Sequence, residues 1–179
     1  MDWMTISRLM LAAVLAAGAA CTPPESPAMD PPPSQGPPAL ADGDSVPLRR
    51  FGEDVHSRVR FNGGLAERGE QVVRDPAAWS ALWRRMTAGQ SPSSIPTVDF
   101  GGEMVLVAAM GLRSSGGYAV TIDRVESTAA GLTAYVTHQS PGPRCGAITA
   151  VTQPVDVARI PRSDRPVRWN VREVVRDCP

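Results

Sequence analysis

Three cysteines and two histidines are the residues best able to do covalent or acid–base chemistry in this 179-residue chain. Their spacing limits what they can do. A reactive thiol needs a base beside it, and nothing in the sequence ties Cys145 or Cys178 to His56 or His138. The histidines read as solvated positions on strands. Asp123 and Glu126 stand three apart in a strand-like segment, so they should point to opposite faces unless a bulge intervenes. Every basic residue is arginine, which removes Schiff-base, phosphate-loop and general-base lysine chemistry. No histidine, cysteine or carboxylate cluster has metal-ligand spacing, and no glycine-rich phosphate loop opens a helix. The expectation is a protein without catalysis, cofactor or metal.

The cysteines make better sense as placement and bracing. Arg8 precedes the apolar stretch Leu9 to Ala17, and Gly18, Ala19 and Ala20 lead to Cys21, which reads as an export signal over residues 1–20. The stretch is shorter than the ~20 residues of a membrane-spanning helix. Small residues before a cysteine resemble the bacterial lipobox, which implies lipid on Cys21 and a place in the cell envelope, facing periplasm or exterior. Gly18 departs from the leucine usual there, which leaves an ordinary cut after Ala20 as the alternative. In an oxidising envelope Cys145 and Cys178 form a natural disulfide pair, closing a loop that constrains the unfolded chain by about 3 to 4 kcal/mol.

Residues 21–47 cannot build a core. Pro23-Pro24, Pro31-Pro32-Pro33 and Pro37-Pro38 favour extended polyproline II, a tether of about 25 residues spanning roughly 75 Å. Residues 48–179 suffice for one domain. The formal charge is zero, and the mildly basic stretch from Arg144 to Arg176 lacks interleaved aromatics, which argues against nucleic acid.

Within that domain the most informative segment is Leu112-Arg113-Ser114-Ser115-Gly116-Gly117-Tyr118. It joins the apolar run Glu103 to Met110 to an alternating strand in which Tyr118, Val120 and Ile122 share a face. An ordinary hairpin turn and a rigid displayed loop both fit its spacing. Val55 to Phe61 alternates loosely and predicts a strand, and Glu70 to Val73 another. Asp75 and Pro76 suit the start of a helix whose Trp79, Leu82, Trp83 and Met86 fall on one stripe. Leu132 to Gln139, Val155 to Ile160 and Val167 to Val175 read as further strands. The sum is a mainly β, α+β fold: an antiparallel twisted sheet or sandwich carrying one amphipathic helix.

The Asp75-Pro76 helix with Trp79, the Val98-Asp99-Phe100 approach to the apolar strand, and above all Ser115-Gly116-Gly117-Tyr118-Ala119-Val120 resemble the PrcB C-terminal domain family, over about residues 67–175. The resemblance implies an exported lipoprotein domain, in a family named for a component that associates with a cell-surface protease complex. A fainter likeness links Ser114 to Tyr118, and Arg165-Pro166-Val167-Arg168-Trp169, to chagasin-type inhibitors of papain-like proteases. The second segment carries two residues more than that family's Arg-Pro-Trp loop. The expected function is a membrane-tethered module that stabilises, docks or inhibits a protein partner, with a protease as the candidate the resemblance supplies. Arg113, Ser114, Ser115, Gly116, Gly117, Tyr118 and Arg144 are the expected contacts, although Tyr118 could instead pack inward. The alternative is a structural or carbohydrate-facing envelope module.

Overall fold

The computed structural model describes residues 43–178 except Pro92 and Ala147. The signal segment, Cys21 and the tether up to residue 42 lie outside the described residues. In chain order the elements are β1 (Ser45–Val46), β2 (Arg49–Arg50), α1 (Glu53–Arg60), β3 (Arg68–Val73), α2 (Pro76–Met86), β4 (Glu103–Met110), β5 (Ala119–Thr128), β6 (Gly131–Pro141), β7 (Val155–Pro161) and β8 (Val167–Arg176). The strands form two four-stranded sheets, β1-β5-β6-β8 and β2-β7-β4-β3. The folded domain therefore starts before residue 48: Val46 pairs with Val125 and is buried.

β4 explains the layering. Its residues from Met104 to Met110 are all buried, as expected of a central strand covered on both faces. Met104, Leu106, Ala108 and Met110 meet Val120, Ile122, Val125, Leu132, Ala134 and Val136 of the opposite sheet. Val105, Val107 and Ala109 meet Val55, Val59, Trp79, Leu82, Trp83 and Met86 on the helices. The result is helices, sheet and sheet, with one core in each gap.

α2 begins as its sequence predicts. The Asp75 side chain accepts a hydrogen bond from the Ala78 N–H at 2.8 Å, with Pro76 at the helix start, which satisfies one of the unpaired donors of the first turn. Trp79 stacks on Phe51 at 5.6 Å and donates its indole N–H to the Pro96 carbonyl at 2.8 Å, so the tryptophan stripe is core. The strand predicted over Val55 to Phe61 is instead the helix α1. Val55 and Val59 are four residues apart, a spacing that puts both on one helical face, and both are buried. Glu53 and Asp54 open the helix and Arg58 and Arg60 close it, matching its dipole. Phe61, assigned to the same face in the strand reading, lies beyond the helix and is 54% exposed.

One pairing departs from the antiparallel expectation. β7 carries the chain back along the second sheet, so β8 starts at the end where β6 starts and pairs with it in parallel, Leu132 with Val167 through Pro141 with Arg176. A bulge between Ile122 and Arg124 supplies the exception foreseen for Asp123 and Glu126. Asp123 accepts from Thr137 at 2.5 Å, and Glu126 accepts from Tyr135 at 2.8 Å. Both carboxylates therefore lie on the outer face of the sheet.

Because β1 is only two residues long, it leaves Ile122 without a strand partner on that side. A buried side chain fills in. The Ile122 N–H donates to Asp156 Oδ2 at 2.7 Å, while the Arg50 guanidinium bonds both that oxygen and the Ile122 carbonyl. Asp156 belongs to β7 of the opposite sheet and is 1% exposed, so this contact joins the two sheets along the flank where β1 and β2 lie.

Candidate functional site

The segment from Gly111 to Tyr118 is not a hairpin turn, since β4 and β5 belong to different sheets and the segment crosses between them. Gly111 starts the crossing with φ 73°, and the Leu112 N–H bonds the Ala66 carbonyl at 3.0 Å. Arg113 and Thr152 then exchange backbone hydrogen bonds at 2.8 and 2.9 Å. The Thr152 hydroxyl donates to the Ser115 carbonyl at 2.9 Å, and the Gly116 N–H donates to the Ile148 carbonyl at 3.0 Å. The loop is thus laced to the strap that runs from β6 to β7.

Two glycines lie at that fit, and Gly117 is the one it requires. A Cβ on Gly116 would stand 2.7 Å from Ile148 Cγ1. At Gly117 φ is 89°, and a Cβ would stand 2.9 Å from Pro141 Cβ, so backbone conformation and close approach both select glycine. The strap has its own brace: Cys145 and Cys178 form the disulfide, closing a separation of 33 residues. Beside it the Gly142 N–H bonds the Arg176 carbonyl at 2.9 Å, and Arg144 pairs with Asp177 at 3.3 Å. A cleft of about 510 Å³ lies between loop and brace, lined by Gly117, Pro141, Cys145, Ile148, Arg176 and Cys178 among others.

The residues expected to make contact do converge on this end of the domain, in different roles. Ser114, Gly117 and Arg144 are exposed, Arg113 and Ser115 are half-buried, and Gly116 is buried. Tyr118 packs against the inter-sheet core, with the Arg113 guanidinium 5.4 Å from its ring centre, so it holds the loop from beneath. Arg165 bonds Ser127 and Thr128 at the β5–β6 hairpin, the opposite end of the first sheet from Ser115. The two segments compared with chagasin-type inhibitors therefore do not meet on one surface.

The contact list read from the sequence missed three apolar side chains on the same loops. Leu112, Ile148 and Val151 are 57%, 69% and 63% exposed. By alternation across the Arg113–Thr152 bridge, Leu112, Ser114 and Val151 share one face, and Ile148 lies against Gly116. Their signal was apolar residues within glycine-, serine- and proline-rich loops, where no periodic element can carry them inward.

His138 is a second departure. It is fully buried in β6, not solvated. Its Nε2 stands 3.6 Å from Glu70 of β3 and its Nδ1 3.8 Å from Glu173 of β8, neither at hydrogen-bonding range. Arg68 pairs with Glu173 at 2.6 Å across the same flank. Burial, reinforced by the Arg68 charge, lowers the His138 pKa, and burial raises that of Glu70. On the outer face, hydrogen bonds from Arg124 and Tyr135 hold Glu126 below the usual carboxylate range. Among the described residues no group of three or more His, Cys, Asp or Glu is placed to hold a metal ion.

What these elements have in common with known proteins is the central stretch. Residues 104–161 match the PrcB C-terminal family. The matched segment runs from β4 to the end of β7 and includes the laced loop, the β5–β6 hairpin and the strap. It is narrower than the resemblance over residues 67–175, since β3, α2 and β8 fall outside it. Comparison with curated proteins and with solved structures finds no match.

Proposed function

We propose that this is a protein-binding domain of the bacterial cell envelope, held by lipid on Cys21 and docking a partner through Leu112 to Gly117 and Arg144 to Val151. One observation carries the reading. Three large apolar side chains are exposed on loops that backbone hydrogen bonds, a glycine required at 117 and a disulfide already hold. Exposed apolar clusters mark interaction surfaces, and loops ordered beforehand lose little entropy on binding. The Gly43 N–H bonds the Ser127 carbonyl beside the β5–β6 hairpin, so the first described residue lies at the end of the domain away from these loops. The family name supplies the first partner to try, an envelope protease complex, with the domain acting on its assembly and not as a hydrolase.

A photo-crosslinking residue at Ile148 of the full-length lipoprotein in native envelopes provides the test. The expected result is one specific adduct containing a peptidase subunit, lost when Leu112→Asp and Val151→Asp are introduced together while the thermal midpoint is unchanged. An adduct unaffected by those substitutions, or one containing only glycan, would overturn the reading; the glycan outcome is the one a carbohydrate-facing module gives.

A further inference from the structure

The edge of β8 is a second candidate surface, separate from the loop patch. β8 is the last strand of its sheet and is ten residues long, whereas β1 and β2 at the other flank have two residues each. The Leu132 N–H bonds the Pro166 carbonyl and the Gly142 N–H bonds the Arg176 carbonyl, so even-numbered residues of β8 turn their backbone groups toward β6. In a parallel ladder the alternate residues point the other way. The N–H and C=O groups of Val167, Trp169, Val171, Glu173 and Val175 therefore face away from the sheet, and no hydrogen bond to a described residue occupies them. Natural proteins cover, shorten or charge such edges; this one is neither short nor covered, and its protection is charge.

Side-chain charge selects what fits there. The outer face of β8 presents Arg168, Arg172 and Arg176, all exposed, and the strand's one carboxylate, Glu173, is paired with Arg68. Arg172 is 3.7 Å from Asp123, while Arg168 and Arg176 have no ion pair among the described residues. A second copy of the chain is a poor occupant. Of the two antiparallel registers that overlap nine residues of two β8 edges, one sets Arg168 opposite Arg176 and Arg172 opposite its own counterpart, and like charges directly opposed in a sheet are destabilising; the other sets Arg168 opposite Val174 and Arg172 opposite Asn170, so neither gives an arginine a carboxylate. On the inner face, Val167, Trp169 and Val171 are half-buried against the core and would be covered further by apolar side chains.

We propose that β8 accepts an extended acidic segment of a partner protein as an added strand, with carboxylates every fourth residue opposite the three arginines and apolar residues at the alternating inward positions. Main-chain hydrogen bonds supply the attachment and the charge spacing sets the register. The surface is distinct from the 112–118 loop, so this inference and the docking role of that loop fail separately.

The probe is the fluorescent peptide Glu-Val-Thr-Val-Glu-Val-Thr-Val-Glu, titrated into the folded protein and followed by anisotropy and residue-resolved amide exchange. The expected result is slowed exchange at the amides of Val167, Trp169, Val171, Glu173 and Val175, without change at Arg113 to Gly117. The same peptide N-methylated at alternate amides along one edge should bind when the free edge can face β8 and fail when both edges are methylated. Arg168→Glu combined with Arg176→Glu should weaken binding by about tenfold, from two reversed cross-strand charge pairs, with unchanged far-ultraviolet circular dichroism. Equal binding of the doubly methylated peptide overturns the proposal, because it leaves charge attraction alone. So does protection confined to the loop, binding undetectable at millimolar peptide, or protection of the same β8 amides by self-association without peptide.

Discussion

The two flanks of the sandwich close by different means. On one, Asp156 reaches across from β7 to the Ile122 backbone, and Arg50 bonds both partners. On the other, His138 lies between Glu70 and Glu173 without a hydrogen bond to either, and the Arg68–Glu173 pair bridges the gap at the surface. Arginine and carboxylate appear on both sides, yet only the first flank uses them to replace a missing strand. The second leaves a ten-residue strand edge bare and relies on the Cys145–Cys178 disulfide to fasten the end of β8. The lesson is that a buried polar group braces a sheet when it completes the backbone's own hydrogen bonding, and merely occupies the interior when it does not.

The largest effect is expected from breaking the first flank. Asp156→Ala strips Arg50 of its partner and leaves the Ile122 N–H unbonded in the interior. Arg50 is 37% exposed, so the loss comes from the interior Ile122 N–H left unsatisfied, about 1–3 kcal/mol, and from the charge-assisted hydrogen bond, about 1.5–3 kcal/mol more, read as a fall in stability by chemical denaturation. Next comes the fastening of the second flank. Cys145→Ser with Cys178→Ser removes the cross-link, with an expected loss of about 2–4 kcal/mol, and amide exchange should quicken at Val174 and Arg176, whose backbones bond β6, before it does at Val46 or Ile122.

The smallest effect sharpens the comparison through pH. Burial holds the folded pKa of His138 below its ordinary 6.5, so the unfolded chain binds that proton more readily. The stability contributed by the neutral imidazole is present above 6.5 and is lost as pH falls below it toward the folded value. Glu70, raised by burial, works oppositely: its contribution is present below its ordinary 4.5 and is lost as pH rises past its folded value. His138→Leu should flatten the decline in thermal midpoint on acidifying from about pH 7.5 to 5.5, leaving the Glu70 contribution in both proteins. An unchanged slope would assign the acid sensitivity to other groups.

How far the sequence could be read depended on whether a feature was local. The α2 stripe, its Asp75-Pro76 start, the apolar run of β4 and the cysteine pair each carry their signal within a few residues or in the count of thiols. α1 was misread because Val55, Val59 and Phe61 satisfy a loose alternation as well as a helical spacing; only packing of the two valines against β7 and α2 decides. The parallel entry of β8 and the burial of His138 follow from which sheet β7 joins, a long-range fact with no local trace. The same holds at the candidate site. Gly116, Gly117 and the serines were legible as a tight loop, but the strap that fixes it begins some thirty residues later in the chain, and the exposure of Leu112, Ile148 and Val151 emerges only once that strap is laid alongside.

The central strand β4 has a consequence for how the domain can change over time. Outward positions of β5 and β6 can drift with at most a cross-strand partner, as Asp123 with Thr137 or Glu126 with Tyr135, because each second side chain lies outside both interiors. β4 offers no such alternation: from Met104 to Met110 every side chain belongs to one of two interiors. Variation there must be matched by neighbours in the helical layer or the facing sheet, so lineages should retain this stretch as a block while the surfaces around it diversify.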